Sequence, residues 1–136
     1  MDTTIIVVML KNMETGILER EVTSCEIEEN AGFIVNIFAE ENESGYLAHM
    51  QLSTVTEMAD WQFMAAYDYY DTEIFGSDVL SVNELDDCFD PTWELVFRLP
   101  ETEAAGSRLI QKLVNIHAAE IDELMRVIEA KEDEYR

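Results

Sequence analysis

Two cysteines and two histidines come first, because a Cys–His pair can do nucleophilic chemistry. Cys25 or Cys88 beside His49 or His117 would supply a thiolate and a base. Any chain with two of each offers such pairs, and no spacing singles one out, so reduced structural cysteines are expected. A disulfide would need a geometry that sequence does not reveal. The densest acidic set is Glu84, Asp86, Asp87 and Asp90, with Asp68, Asp71, Glu73 and Asp78 shortly before it. Oxygen-rich clusters hold Ca²⁺ or Mg²⁺. Here the Gly and terminal Glu of an EF-hand loop are missing, so a solvated acidic surface is expected and no metal site. His117 has Glu120 one turn on and could serve as a proton switch or ligand. It lies within an apolar helical seam, which favours a hydrogen-bonded core histidine. The aromatic run Trp61, Phe63, Tyr67, Tyr69 and Tyr70 could be a binding platform, but a small domain needs such area in its core. No phosphate loop, GxSxG, HExxH or GxGxxG is present. No catalytic residue and no cofactor is therefore expected, and the chain reads as non-enzymatic.

Charge is the more informative property. The formal net charge is −22, from 8 Lys and Arg against 30 Asp and Glu. Between Arg20 and Arg98 there is no Lys or Arg, while 18 of those 77 positions are Asp or Glu. Surfaces normally interleave both signs. Counterion release on a phosphate backbone requires Lys and Arg, so direct nucleic-acid binding is excluded. Anionic membranes are disfavoured for the same reason. The apolar run Ile5 to Leu10 is far too short to cross a bilayer, for which ~20 residues are needed. No basic n-region precedes it, and a cytoplasmic location is expected.

The elements that must carry these residues follow from periodicity. A length of 136 residues suits one domain, sheet-rich over 1–100 and helical over 101–136. Strands are predicted over 3–10, 17–28, 33–39, 46–53 and 93–99 from β-branched content and period-two alternation. Residues 61–70 fit both periods, and their aromatic content predicts a further strand. Residues 71–91 are predicted to be irregular, with one short helix near 81–87. From Thr102 to Glu134 the period is helical, and Ile110, Val114, His117, Ile121, Leu124, Ile128 and Tyr135 form one seam. The predicted class is α+β: a five- or six-stranded, mainly antiparallel meander packed against one long C-terminal helix. That helix would run ~50 Å, past the ~37 Å diameter of a compact domain of this length. It should break near Gly106 and Ser107 or project beyond the sheet. A projecting end makes His117, Ile121, Leu124 and Ile128 a candidate self-association seam for a homodimer.

Three explanations of the acidity compete. The first is a small cytosolic binding or structural module, a protein-interaction module whose acidity keeps it soluble and whose expected partner is a basic protein surface. The second is adaptation to high salt. In size and composition the chain also resembles nucleic-acid-mimic inhibitors of the anti-restriction and anti-CRISPR type. That resemblance implies an enzyme's nucleic-acid channel as the partner. A duplex ~37 Å long carries about 22 phosphates at one per ~1.7 Å, which matches the net charge of −22. The acids Asp68, Asp71, Glu73, Asp78, Glu84, Asp86, Asp87 and Asp90 are the candidate interaction surface. Residues 57–97 hold eleven acids and no Lys or Arg.

Overall fold

A computed structural model describes residues 3–86 and 88–135. The first hairpin joins β1 (Thr4–Lys11) to β2 (Leu18–Ile27). Its turn is built by Asn12, whose Oδ1 accepts from the backbone N–H groups of Glu14 and Thr15 at 2.9 and 3.2 Å. Gly16 supplies the left-handed φ of 77° that closes it. A single 3₁₀ turn at Ala31–Phe33 then carries the chain past β1 to β3 (Ile34–Asn42), and β4 (Gly45–Ser53) returns antiparallel. The last two strands are β5 (Ser81–Glu84) and β6 (Thr92–Arg98).

The sheet order is β2-β1-β3-β4-β6-β5. Every pair is antiparallel except β1 with β3, which run parallel through Met9↔Phe38 and Leu10↔Ala39. The predicted class therefore holds: α+β, six strands, mainly antiparallel, with a long C-terminal helix. The order is not a simple meander, because β3 lies across β1 from β2 and β6 inserts between β4 and β5.

Two segments differ from expectation. Residues 61–70 are not a strand but most of helix α1 (Asp60–Tyr69). Ala65 and Ala66 are its fully buried residues, small enough to bring the helix close to the core. They are also stronger helix formers than the flanking aromatics are strand formers in this context. Gln62 closes its first turn by accepting from the Ala59 N–H at 2.8 Å. Residues 81–87 hold no helix among the described positions. Ser81–Glu84 pairs with Trp93–Val96 as the edge strand, and a 3₁₀ segment, Thr72–Asp78, precedes it.

Helix α2 (Glu103–Ala130) starts where Thr102 Oγ1 accepts from Ala105 N–H at 3.1 Å. It does not break at Gly106. That glycine is buried where the helix crosses β2, and a Cβ there would stand 3.4 Å from Cys25 Sγ. Ser107 and Gln111 take the free edge of β2: Glu26 N–H donates to Ser107 Oγ at 3.0 Å, and Glu28 N–H to Gln111 Oε1 at 2.8 Å. This satisfies backbone groups that would otherwise template aggregation.

The seam of α2 is internal. Ile110, Leu113, Val114, His117, Leu124 and Ile128 are 0–1 % exposed, in one core with Met50, Leu52, Trp93, Leu95 and Phe97 of the sheet. His117, Ile121, Leu124 and Ile128, the candidate self-association seam, are thus covered by the chain itself. The helix stops at Lys131, and a last turn, α3 (Glu132–Tyr135), brings Tyr135 onto α1 beside Trp61 and Tyr69.

Candidate protein interface

The three tyrosines at the end of α1 point three ways and organise what surrounds them. Tyr70 enters the core, stacked on Trp93 with ring centroids 3.9 Å apart. Its hydroxyl donates to His117 Nδ1 at 2.8 Å, and His117 Nε2–H donates to the Ser53 carbonyl at 2.8 Å. One acceptor and one donor suit the neutral imidazole. Burial pushes the His117 pKa down to about 4, partly offset by the Ser53 bond. Burial likewise pushes the Tyr70 phenol far up. This triad ties α1, α2 and β4 together without reaching solvent.

Tyr67 faces the loop between β5 and β6. Its hydroxyl donates to the Leu85 carbonyl at 2.8 Å and accepts from Thr92 N–H at 3.0 Å. Burial raises its pKa, with smaller contributions from nearby Cys88, Glu84 and Asp86. Tyr69 points outward, donating to Glu134 at 3.2 Å with Lys131 Nζ 5.7 Å from its ring centroid.

The sequence-selected acids divide around these tyrosines. Asp68, Asp71 and Glu73 are exposed at the C-terminal end of α1. Asp68 accepts from Tyr135 Oη at 2.6 Å, and Asp71 caps the 3₁₀ segment by accepting from Glu73 N–H at 2.9 Å. The Asp68 bond raises the Tyr135 phenol. Asp71 N–H in turn donates to Glu120 at 2.9 Å, and burial holds the Glu120 carboxyl above its usual range. Glu84 and Asp86 are exposed at the mouth of the β5–β6 loop. Asp90 is half-buried there, its Oδ1 without a hydrogen-bond partner. Asp78 is turned to α2 instead and pairs with Lys112 at 2.6 Å. Asp87 lies outside the described residues.

Of these acids, Asp68 lies in the last turn of α1, where the helix dipole disfavours it. A helix C-terminus carries partial negative charge and favours bases. Neither α1 nor α2 has a basic residue in its last turn. A carboxylate in the last turn, as Asp68 is in α1, costs roughly 0.3–1 kcal/mol.

One cluster has no counterpart in the sequence reading. On the face of the sheet away from α2, His49 bridges two carboxylates: Nε2 to Glu40 at 2.8 Å and Nδ1 to Glu94 at 3.0 Å. Gln51 donates to the other Glu94 oxygen at 3.0 Å, and Phe38 stacks on the imidazole at 4.8 Å. Both histidines are thus engaged away from the cysteines. Cys25 is buried and Cys88 half-buried, and both are free thiols. Among the described residues no group of three or more His, Cys, Asp or Glu is arranged to hold a metal ion. No helix among them is long and apolar enough to cross a membrane.

Fold and composition together define a small acidic α+β protein. The chain belongs to DUF6762, a family of unknown function, which matches it over residues 1–136. No curated protein and no solved structure matches it.

Proposed function

We propose that this protein is a non-catalytic interaction module of the cytoplasm that presents carboxylates to a basic surface on another protein. The observation that carries this reading is the crowding of Asp68, Asp71 and Glu73 at the C-terminal end of α1, with no basic residue in its last turn. Asp68 opposes the helix dipole there, while Asp71 and Glu73 open the following 3₁₀ segment and hold their carboxylates in solvent beside it. Adaptation to high salt would call for a uniform acidic shell. Residues 57–97 hold eleven acids and no Lys or Arg, so the charge is uneven along the chain. Free Cys25 and Cys88 suit a reducing compartment.

The test is a pull-down from lysate of the source cells at low and at moderate salt. The bait is the wild type or a variant carrying Asp68→Asn, Asp71→Asn, Glu73→Gln, Glu84→Gln and Asp86→Asn. Wild type is expected to retain proteins of high isoelectric point, released by salt and lost by the variant. A retained set without basic bias, or one indifferent to these changes, refutes the reading. The narrower nucleic-acid-mimic version adds one outcome: duplex DNA or RNA displaces the retained partner.

A further inference from the structure

Phe89 is 88 % exposed, the most exposed large apolar side chain among the described residues. Aromatic side chains bury large area and are costly to leave wet. This one stands on a loop whose base is fixed. Leu85 N–H donates to the Thr92 carbonyl at 3.0 Å and closes the mouth of the loop. Tyr67 Oη pins both sides of that mouth, bonded to the Leu85 carbonyl and to Thr92 N–H. Thr92 Oγ1 donates to the Asp90 carbonyl at 2.8 Å, and Pro91 is buried. Thr54 N–H donates to the Pro91 carbonyl at 3.1 Å and ties the loop to the end of β4.

That last bond joins the loop to the segment that carries a second exposed apolar residue. Val55 follows Thr54, is 50 % exposed and has φ of 47°. A β-branched residue rarely adopts a left-handed φ. Here it keeps the side chain in solvent, one residue from the Thr54–Pro91 bond, while Phe89 stands two residues away from it. Glu84 and Asp86 are exposed on the same loop. An exposed aromatic residue on a pinned loop with a charged rim has the composition of an interface hot spot. Fixing the base beforehand lowers the ordering cost of binding.

We propose that Phe89 anchors this protein to its partner by entering an apolar recess on a cationic protein surface, with Glu84 and Asp86 pairing the bases around that recess. The inference rests on the interaction-module reading and names its contact point. Charge complementarity selects the occupant. The anchor sits within residues 57–97, which carry eleven acids and no Lys or Arg. A second copy would bring like charge, and an anionic bilayer would repel the rim.

Two synthetic peptides of equal length and charge serve as probes: an amphipathic Lys–Leu helix and a Lys–Ser peptide. Each is titrated calorimetrically into wild type, Phe89→Ser, and the Glu84→Gln/Asp86→Asn pair. Phe89 makes so little contact with the fold that its variant keeps the structure, which circular dichroism checks. Wild type is expected to bind the Lys–Leu peptide about tenfold or more tightly than the Lys–Ser peptide. Phe89→Ser should erase that preference and leave Lys–Ser binding unchanged. The acid pair should weaken both. If Phe89→Ser binds the Lys–Leu peptide like wild type, the anchor is wrong, while salt-sensitive Lys–Ser binding still upholds a cationic partner. If neither peptide binds wild type, the interaction-module reading fails and the anchor with it. Phe89-dependent self-association in sedimentation, or Phe89-dependent binding to phosphatidylcholine vesicles, overturns the choice of occupant.

Discussion

Acidification should destabilise this protein through His117, against the direction its carboxylate content suggests. His117 is 0 % exposed and held as the neutral imidazole between Tyr70 and Ser53. Its pKa is about 4 in the folded state, against 6.5 for the unfolded chain. Between these values the unfolded chain binds more protons than the folded one, so stability rises with pH and is lost as pH falls from 6.5 toward 4. Integrating the two titrations from pH 7 to pH 5 gives a loss of about 2 kcal/mol. For a chain of this length that lowers the melting midpoint by roughly 7 °C. Glu120 works the other way. Its raised pKa means that protonation favours the folded state, so its contribution to stability rises as pH falls through the folded value. Its burial is only partial, and its shift is smaller than that of His117. Thermal melts of wild type and His117→Gln across pH 5 to 7 decide the matter. His117→Gln should start less stable, since it disturbs the triad, but its melting midpoint should be flatter with pH. If His117→Gln is too unstable to measure, the ring resonances of His117 in wild type followed by NMR give the same answer. A wild-type midpoint that holds or rises on acidification, or a pH slope unchanged in the variant, refutes the reasoning.

Two further outcomes come from packing. Tyr67→Phe removes the hydroxyl that joins Leu85 to Thr92 and strands a backbone N–H and C=O. A loss of about 1–3 kcal/mol in urea unfolding is expected, and faster amide exchange at Leu85 and Thr92 should accompany it. Gly106→Val drives a branched side chain toward Cys25 Sγ, which would already lie 3.4 Å from a simple Cβ. It should cost about 1–3 kcal/mol by overpacking in the same assay; a stabilised variant would mean that α2 can lift from β2 freely.

How legible the protein is in its sequence depends on how local each signal is. The strands β1 to β4 and β6 and the helix α2 follow from alternation and from a helical seam, because each buries one face against one core. Helix α1 escaped because Trp61, Phe63, Tyr67 and Tyr69 satisfy period two as well as a helix does. The deciding residues are Ala65 and Ala66, whose smallness matters only once something packs on them. Strand β5 has four residues, three of them polar, and is recognised by its pairing with β6 rather than by its own pattern. The seam of α2 was legible, but what covers it was not. The length argument treated the helix as a rod in search of a partner, whereas the rod lies along the sheet and stops at Lys131. The Glu40–His49–Glu94 bridge joins residues 9 and 45 positions apart and leaves no trace in local spacing. Of the eight acids chosen from sequence, Asp68, Asp71 and Glu73 share one end of α1. Glu84, Asp86 and Asp90 share the β5–β6 loop, and Asp78 is drawn off by Lys112.

The placement of charge separates what stabilises the fold from what does not. Where folding needs polar groups paired, this chain pairs them locally: His117 with Tyr70 and Ser53, His49 with Glu40 and Glu94, and the edge of β2 with Ser107 and Gln111. Basic residues serve the same end, with Lys112 on Asp78, Arg126 on Asp122 and Lys131 on Glu134. The end of α1 and the β5–β6 loop follow neither pattern. Asp68 opposes the α1 dipole, Phe89 is left in water, and Asp90 keeps a buried oxygen without a donor. Exposed pairs and surface charges contribute little to stability, so a solubility requirement could be met anywhere on the surface at lower cost. Unfavourable charge, exposed aromatic surface and an unsatisfied acceptor meeting at one end of the molecule are what a binding surface looks like before its partner arrives. A cationic partner with an apolar recess relieves the charge and the exposed ring together.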